Sequence, residues 1–221
     1  MTILPSTLDF LKSLKQNNTR EWFAEHKEDY EQARNNFKDL VNRLIQQLVS
    51  FDEQFGMMKA EDTMFRIYRD VRFSKDKSPY KPHFSAYFCK GGKNSEMAGY
   101  YIHIEPDANF FIGGGKWMPQ GDLLKKIRQE IDYNIEDFLQ IIGNKDFKKY
   151  FTELEGERLK TIPKGYAADH PHLEIIKLKS FIASCTFSEK DVLSENFDAE
   201  VIKRFKVMQP LIDFLNQAMD S

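Results

Sequence analysis

Apolar residues change their spacing twice along this chain. From Tyr30 to Leu48 they recur three or four residues apart, as Tyr30, Ala33, Phe37, Leu40, Leu44 and Leu48, with Glu, Lys, Asn and Gln between them. That spacing predicts a helix with one buried stripe. A shorter helix precedes it, with Leu8, Leu11 and Leu14 on one side and Ser6 or Thr7 as its cap. Asn17, Asn18 and Thr19 then break that helix and cap the next. Trp22 and Phe23 read as aromatics that anchor a helix start, with a ligand cleft as the alternative use.

From Phe65 to Ile112 the spacing falls to two. Phe84, Ala86 and Phe88 alternate with Ser85, Tyr87 and Cys89, and Tyr100, Ile102 and Ile104 alternate with Tyr101 and His103, which predicts strands. Residues 89–99 supply a flexible hairpin connection, and Pro106–Asn109 turns into a short strand, Phe110–Ile112. Residues 65–73 also follow strand phasing: Arg66, Tyr68, Asp70 and Arg72 fall on one face, and Phe65, Ile67, Val71 and Phe73 on the other, with Arg69 the polar exception. Helical phasing scatters the same apolar residues, so a strand is predicted, followed by an ordered loop rich in Ser, Lys, Asp and Pro. Helical segments are expected around 123–131, 135–142 and 147–154, a loop at 163–171 and a strand at 178–185. A C-terminal helical pair closes the chain, with Asp198 as a cap and Pro210 either kinking the helix or starting a second one. The predicted fold class is α+β: a mainly antiparallel sheet, made of a central meander and one late strand, packed with N- and C-terminal helices. A single domain over residues 1–221 is expected.

Composition narrows the setting. The 221 residues are 41% hydrophobic and 30% charged, with nineteen phenylalanines, enough for a substantial core and too apolar for extended disorder. No apolar run approaches the roughly 20 residues that span a bilayer, and Met1–Ser6 lacks the basic flank and long apolar stretch of a signal peptide. A cytoplasmic location is the expectation, with no membrane partner. Cys89 and Cys185 lie in apolar alternating segments and read as buried free thiols.

Charge is where chemistry enters. Residues 66–81 hold six cations and two acids, a local charge of +4 in a chain whose formal net charge is −2, so the remainder carries −6. Arginine forks and mobile ammonium groups together suit phosphate, sulfate or a polycarboxylate. Arg66, Arg69, Arg72, Lys75, Lys77, Tyr80 and Lys81 are therefore the candidate ligand-binding residues, with Asp70 and Asp76 orienting the cations. The alternative is an ion-pair network, but exposed pairs contribute only about 0–1 kcal/mol each, a weak reason to concentrate cations against their mutual repulsion.

Five segments carry a resemblance: Asn17–Phe23 (NNTREWF), Phe65–Lys81 (FRIYRDVRFSKDKSPYK), Gly99–Ile104 (GYYIHI), Gly113–Pro119 (GGGKWMP), and Pro163–Tyr166 (PKGY) with Asp169–Pro171. On these the chain resembles an uncharacterised conserved-protein family, domain of unknown function twenty-four sixty-one, over nearly its whole length. The resemblance implies one compact domain and brings no assigned activity. Lys116 departs from the pattern, standing before Trp117 where an apolar residue is usual.

Other motifs add weaker signals. Gly113–Lys116 after a strand could offer backbone N–H groups to an oxyanion, so Gly114 and Lys116 join the candidates. The segment lacks the P-loop and dinucleotide spacings, and a sharp structural turn is the plainer reading. Lys164 and Tyr166 could complete the site, although an ordinary loop leading into a helix, capped by Asp169 or His170, explains them as well. His170, His172 and Glu174 lack a full ligand set, and no metal is assigned. His103 reads as a hydrogen-bonded packing residue, with a general base as the alternative. No nucleophile is assigned among Ser74, Ser78 and Ser85.

The leading functional expectation is an oxyanion-binding protein, enzyme or sensor, with a pocket for a phosphorylated or carboxylated small molecule; cofactors and reaction are unassigned. The alternatives are a nucleic-acid binder that uses the same cations with Tyr68, Tyr80 and Tyr87 stacking on bases, or a structural or interaction protein. A pI near 6.2 favours the compact ligand, because the acidic remainder repels a long polyanion.

Overall fold

The computed structural model describes residues 3–107 and 109–220. Met1 and Thr2 of the N-terminal segment, and Ala108 in the expected Pro106–Asn109 turn, lie outside the described residues. The elements run α1 (Pro5–Gln16), α2 (Arg20–Glu25), α3 (Lys27–Val49), a 3-10 turn (Glu53–Phe55), α4 (Ala60–Thr63), β1 (Phe84–Phe88), β2 (Gly99–Glu105) and β3 (Asn109–Lys116). They continue as α5 (Gly121–Tyr133), α6 (Ile135–Gly143), α7 (Lys145–Tyr150), α8 (Leu173–Ile176), β4 (Phe181–Phe187), α9 (Glu189–Val192) and α10 (Phe197–Asp220). The four strands form one antiparallel sheet in the order β1-β2-β3-β4, so the fold is α+β. No helix among the described residues is long and apolar enough to cross a membrane.

Internal contacts divide the chain into two compact units. The first comprises Met1–Lys93, Tyr101–Ile112 and Thr186–Lys203. Here α3 is the central helix, touched by α1, α2, α4 and β1. Its stripe of Phe37, Leu40, Val41, Leu44 and Leu48 is fully buried, and the Phe37 ring stacks 5.5 Å from Phe84 of β1. The expected cap of α1 is not used: Leu4 occupies that position and Pro5 begins the helix, where its missing N–H costs nothing. Thr7 instead donates its hydroxyl to Asn36 Oδ1 (2.8 Å), which also accepts from the Leu4 N–H, so a polar side chain on α3 ties down the start of α1. Thr19 caps α2 through Trp22 N, as its residue type predicts.

The second unit comprises Asn94–Tyr100, Gly113–Cys185 and Arg204–Ser221. Its helix α5 touches α6 and α8, and α6 touches α7. The glycines of β3 lie inside the strand, which runs through Lys116 rather than ending at Ile112. A Cβ at Gly114 would overlap the Met208 sulfur, and one at Gly115 (φ +124°) would overlap the Phe181 carbonyl. These residues are small because α10 and β4 press on them, so close packing replaces the expected turn. The C-terminal pair is likewise a single helix: Pro210 lies inside α10. It removes one helical donor, yet Met208, Leu211, Ile212 and Leu215 around it are fully buried, and their burial keeps the helix continuous. Expected helical turns beyond Tyr150 are absent, because α7 stops there.

Candidate functional site

Residues 65–73 do not form the predicted strand. A single bridge precedes the segment, Met64 to Ala86, and another lies within it, Tyr68 to Tyr80, beyond which the chain closes on itself as a loop. Arg69 N–H donates to the Pro79 carbonyl (2.9 Å) and Lys81 N–H to the Ile67 carbonyl (2.8 Å), making a neck. The alternation that suggested a strand holds as far as Ile67, which is buried, and fails at Phe73, which is 96% exposed. The reason lies in the side chains. Asp76 accepts from Ser78 N–H (2.9 Å), Ser78 Oγ (2.6 Å) and the Arg69 guanidinium, and local bonds of this kind outcompete a β ladder. They hold the Asp76 carboxyl well below the usual carboxylate range, the Ser78 hydroxyl contributing most.

The basic cluster thereby splits. Arg69 is engaged by Asp76 and donates to the Ser78 carbonyl (3.2 Å). Arg72 grips Asp70 in a two-pronged contact (3.0 and 2.6 Å), and Lys77 Nζ donates to the Val71 carbonyl (2.9 Å). Tyr80 is only 5% exposed, stacked 4.0 Å from Phe23, and its backbone exchanges two hydrogen bonds with the Asn18 amide (2.9 and 3.0 Å). Tyr80 and Phe23 thus anchor the loop to α2. Trp22, stacked 4.0 Å from His26, lines a groove with Phe10, Asp9 and Asp29, whose acids make it unsuited to anions. The side chains of Arg66, Lys75 and Lys81 have no ion pair or hydrogen bond among the described residues.

Lys81 differs from Lys75 in its surroundings. It is half-buried, its ammonium lies 5.5 Å over the Phe65 ring, and burial followed by the nearby Arg66 charge pushes its pKa down. It stands beside one face of the sheet that carries Ser85, Tyr101, His103, Glu105 and Phe111, while the opposite faces of the same strands bury Ile102, Ile104 and Ile112. On that face Tyr101 Oη lies 3.0 Å from His103 Nδ1, His103 Nε2 lies 3.1 Å from Glu105 Oε2, and Asn109 donates to the same Glu105 oxygen (2.7 Å). Because the Glu105 carboxylate accepts, the proton of neutral His103 belongs on Nε2 and Nδ1 accepts from the Tyr101 hydroxyl. His83, immediately before β1, places its ring 4.2 Å from that of His103.

Electrostatics on this face follow from partial burial. Burial, with the His103 ring adding to it, lowers the His83 pKa to about 4. Burial also lowers that of His103 against the opposing pull of Glu105, and Lys81 depresses both imidazoles further. Burial alone would raise Glu105, but hydrogen bonds from His103 and Asn109 and the two imidazoles hold it below the ordinary value. Tyr101 is pushed up by burial and stays a protonated donor at neutral pH. The face therefore presents a hydroxyl, neutral imidazoles, one carboxylate and an ammonium.

The remaining sequence candidates belong to the second unit. Gly114 is buried in β3, Lys116 ends that strand, and Lys164 is exposed beside Gly165. Tyr166 meets the His170 ring edge-on at 5.7 Å, and its pKa is raised by burial. His170 donates to or accepts from its neighbours as a structural residue, with Nε2 2.8 Å from Asp132 Oδ1 and Nδ1 accepting from His172 N–H (3.1 Å). Glu174 pairs with Lys177 and Arg158 rather than with the histidines. Both cysteines are free thiols; Cys89 is buried, and Cys185 is only partly so. His83 and Glu105 were missed by sequence reasoning. Their signal was the His103-Ile-Glu105 spacing, two residues apart on one strand and hence on one face.

Fold and site together define a class: an α+β protein in which a four-stranded sheet carries a partly buried polar face beside a basic loop. The chain belongs to the family described as conserved hypothetical protein (DUF2461), whose model matches residues 6–214. No curated protein and no solved structure matches it.

Proposed function

We propose that this protein binds a small anionic molecule, bearing a phosphate or carboxylate group, on the sheet face beside Lys81. The observation that carries the reading is the pair Lys81 and Arg66, two mutually repelling cations, one of them half-buried, with no carboxylate in ion-pair contact with either among the described residues, although the Arg66 charge is felt by Asp70. An unanswered ammonium in a partly desolvated place is costly, and a bound oxyanion offsets that cost. A compact ligand fits better than a nucleic acid. Tyr80 is buried and cannot stack on a base, and the charge outside the loop is acidic. Two free thiols suit a reducing cytoplasm, which we propose as the place of action.

Thermal unfolding against phosphate, sugar phosphates, nucleotides, citrate and a short oligonucleotide tests this reading. The expected result is a selective rise in melting temperature with one class of small anion, lost in Lys81→Ala/Arg66→Ala and kept in Arg72→Ala. No rise with any anion, or a rise that survives the double variant, overturns it.

A further inference from the structure

Beyond the cations, the sheet face brings His83, His103 and Glu105 together so that one potential ligand atom of each lies within 4.8 Å of the others. Donors bound about 2.0–2.2 Å from one tetrahedral ion stand about 3.3–3.6 Å apart, so small side-chain rotations suffice to converge on a metal. His103 Nε2 and Glu105 Oε2 are already 3.1 Å apart. The arrangement comes from strand geometry: residues two apart on β2 share a face, and His83 leads directly into the neighbouring β1.

Packing alone gives a poor account of this cluster. The half-buried His83 ring has no hydrogen-bond partner among the described residues, although it lies against a second imidazole and close to a carboxylate. We propose that His83, His103 and Glu105 form an open three-residue site for a divalent transition metal of the zinc class. Two imidazoles with one carboxylate favour zinc, iron or cobalt over magnesium or calcium, which prefer all-oxygen sets. Both rings are held neutral, the form that ligates. Supporting groups are in place: Asn109 fixes the Glu105 carboxylate, and Tyr101 reaches His103 Nδ1. With a metal on Nε2, the His103 proton moves to Nδ1 and is donated to the Tyr101 oxygen, which fixes the ring. Lys81 opposes a bare dication here and favours one that carries an anion, so the metal and the proposed ligand would bind with positive coupling. The metal site uses other side chains than the anion reading and stands without it.

Titration of metal-stripped protein with Co2+, followed by visible absorption, and with Zn2+, followed by calorimetry, decides the matter. The expected result is one tightly bound equivalent per chain, with the intense ligand-field bands of low-coordinate cobalt, displaced by zinc. His83→Ala and His103→Ala lose it; Asn109→Ala and Tyr101→Phe weaken it about 10–100-fold. Glu105→Gln, close in shape to the native residue, also loses tight binding and covers the case in which a histidine variant fails to fold. Lys81→Ala/Arg66→Ala retains the metal, which separates this result from failure of the anion reading. No stoichiometric binding by the folded wild type, or binding unchanged in the folded His83 and Glu105 variants, overturns the proposal.

Discussion

Arg69, Arg72 and Lys77 each find an oxygen within their own loop, whereas Arg66 and Lys81, at the same loop's two ends, find none. At the tip of the loop both arginines are answered, because Asp70 and Asp76 stand where the turning chain brings them back, and Lys75, without an ion pair, lies exposed to solvent. At the ends, position is dictated by the Met64 bridge to β1 and by the neck bonds, so Lys81 is delivered to the sheet whether or not a carboxylate awaits it. Density of charge in a sequence is thus a poor guide to a site. The informative cation is the one both partly buried and left unanswered after local pairing, here Lys81 rather than the exposed Lys75.

The largest effect expected is on ligand response. Lys81→Ala/Arg66→Ala should remove the whole anion-dependent stabilisation, about 2.7 kcal/mol at a ligand concentration one hundred times the dissociation constant, without lowering the melting temperature of the free protein. A ligand shift that persists would show that the sheet side is no different from the tip. Next in size, Arg69→Ala should cost about 1–2 kcal/mol in urea unfolding, by releasing Asp76 and the Ser78 carbonyl, while the anion response survives. Loss of that response would erase the contrast between tip and ends.

A smaller effect, on the order of 1 kcal/mol after solvent screening, concerns pH. The His83 pKa is depressed from 6.5 to about 4, so the unfolded chain takes up the proton first as pH falls. Its contribution is complete above 6.5 and declines as pH drops toward about 4. His103 acts in the same direction. Asp70, Asp76 and Glu105, also depressed, lose their contributions lower down, in the carboxylate range. Denaturation curves just below pH 6.5 should therefore flatten in His83→Gln, and an unchanged slope would remove His83 from the account. Smallest of all, Arg72→Ala should leave melting unaltered, since its pair with Asp70 is largely exposed (side chains 76% and 46%). A clear drop would mean that the loop tip is more tightly built than its exposure implies.

Much of the fold was legible in spacing. The α3 stripe and the alternation of β1 and β2 follow from one-sided burial, which writes itself into sequence as a period. The misjudged elements share a cause. Phase alone cannot reveal that Arg69 has a partner seven residues on, that Gly114 yields to Met208, or that buried neighbours carry α10 past Pro210. Of the candidate site, the cations were visible as composition, but which of them remain unanswered was not.

The sequence by itself determined the α+β class, the principal helices and strands, and the presence of a local positive charge, because periodicity and charge are properties of neighbours along the chain. Only the tertiary structure decided that Tyr80 is an anchor, that Lys81 and not Arg69 faces the sheet unpaired, and that His83 joins His103 and Glu105. Those facts depend on which residues distant in sequence become close in space. Strand pairing and loop closure fix that, and neither leaves a period to read.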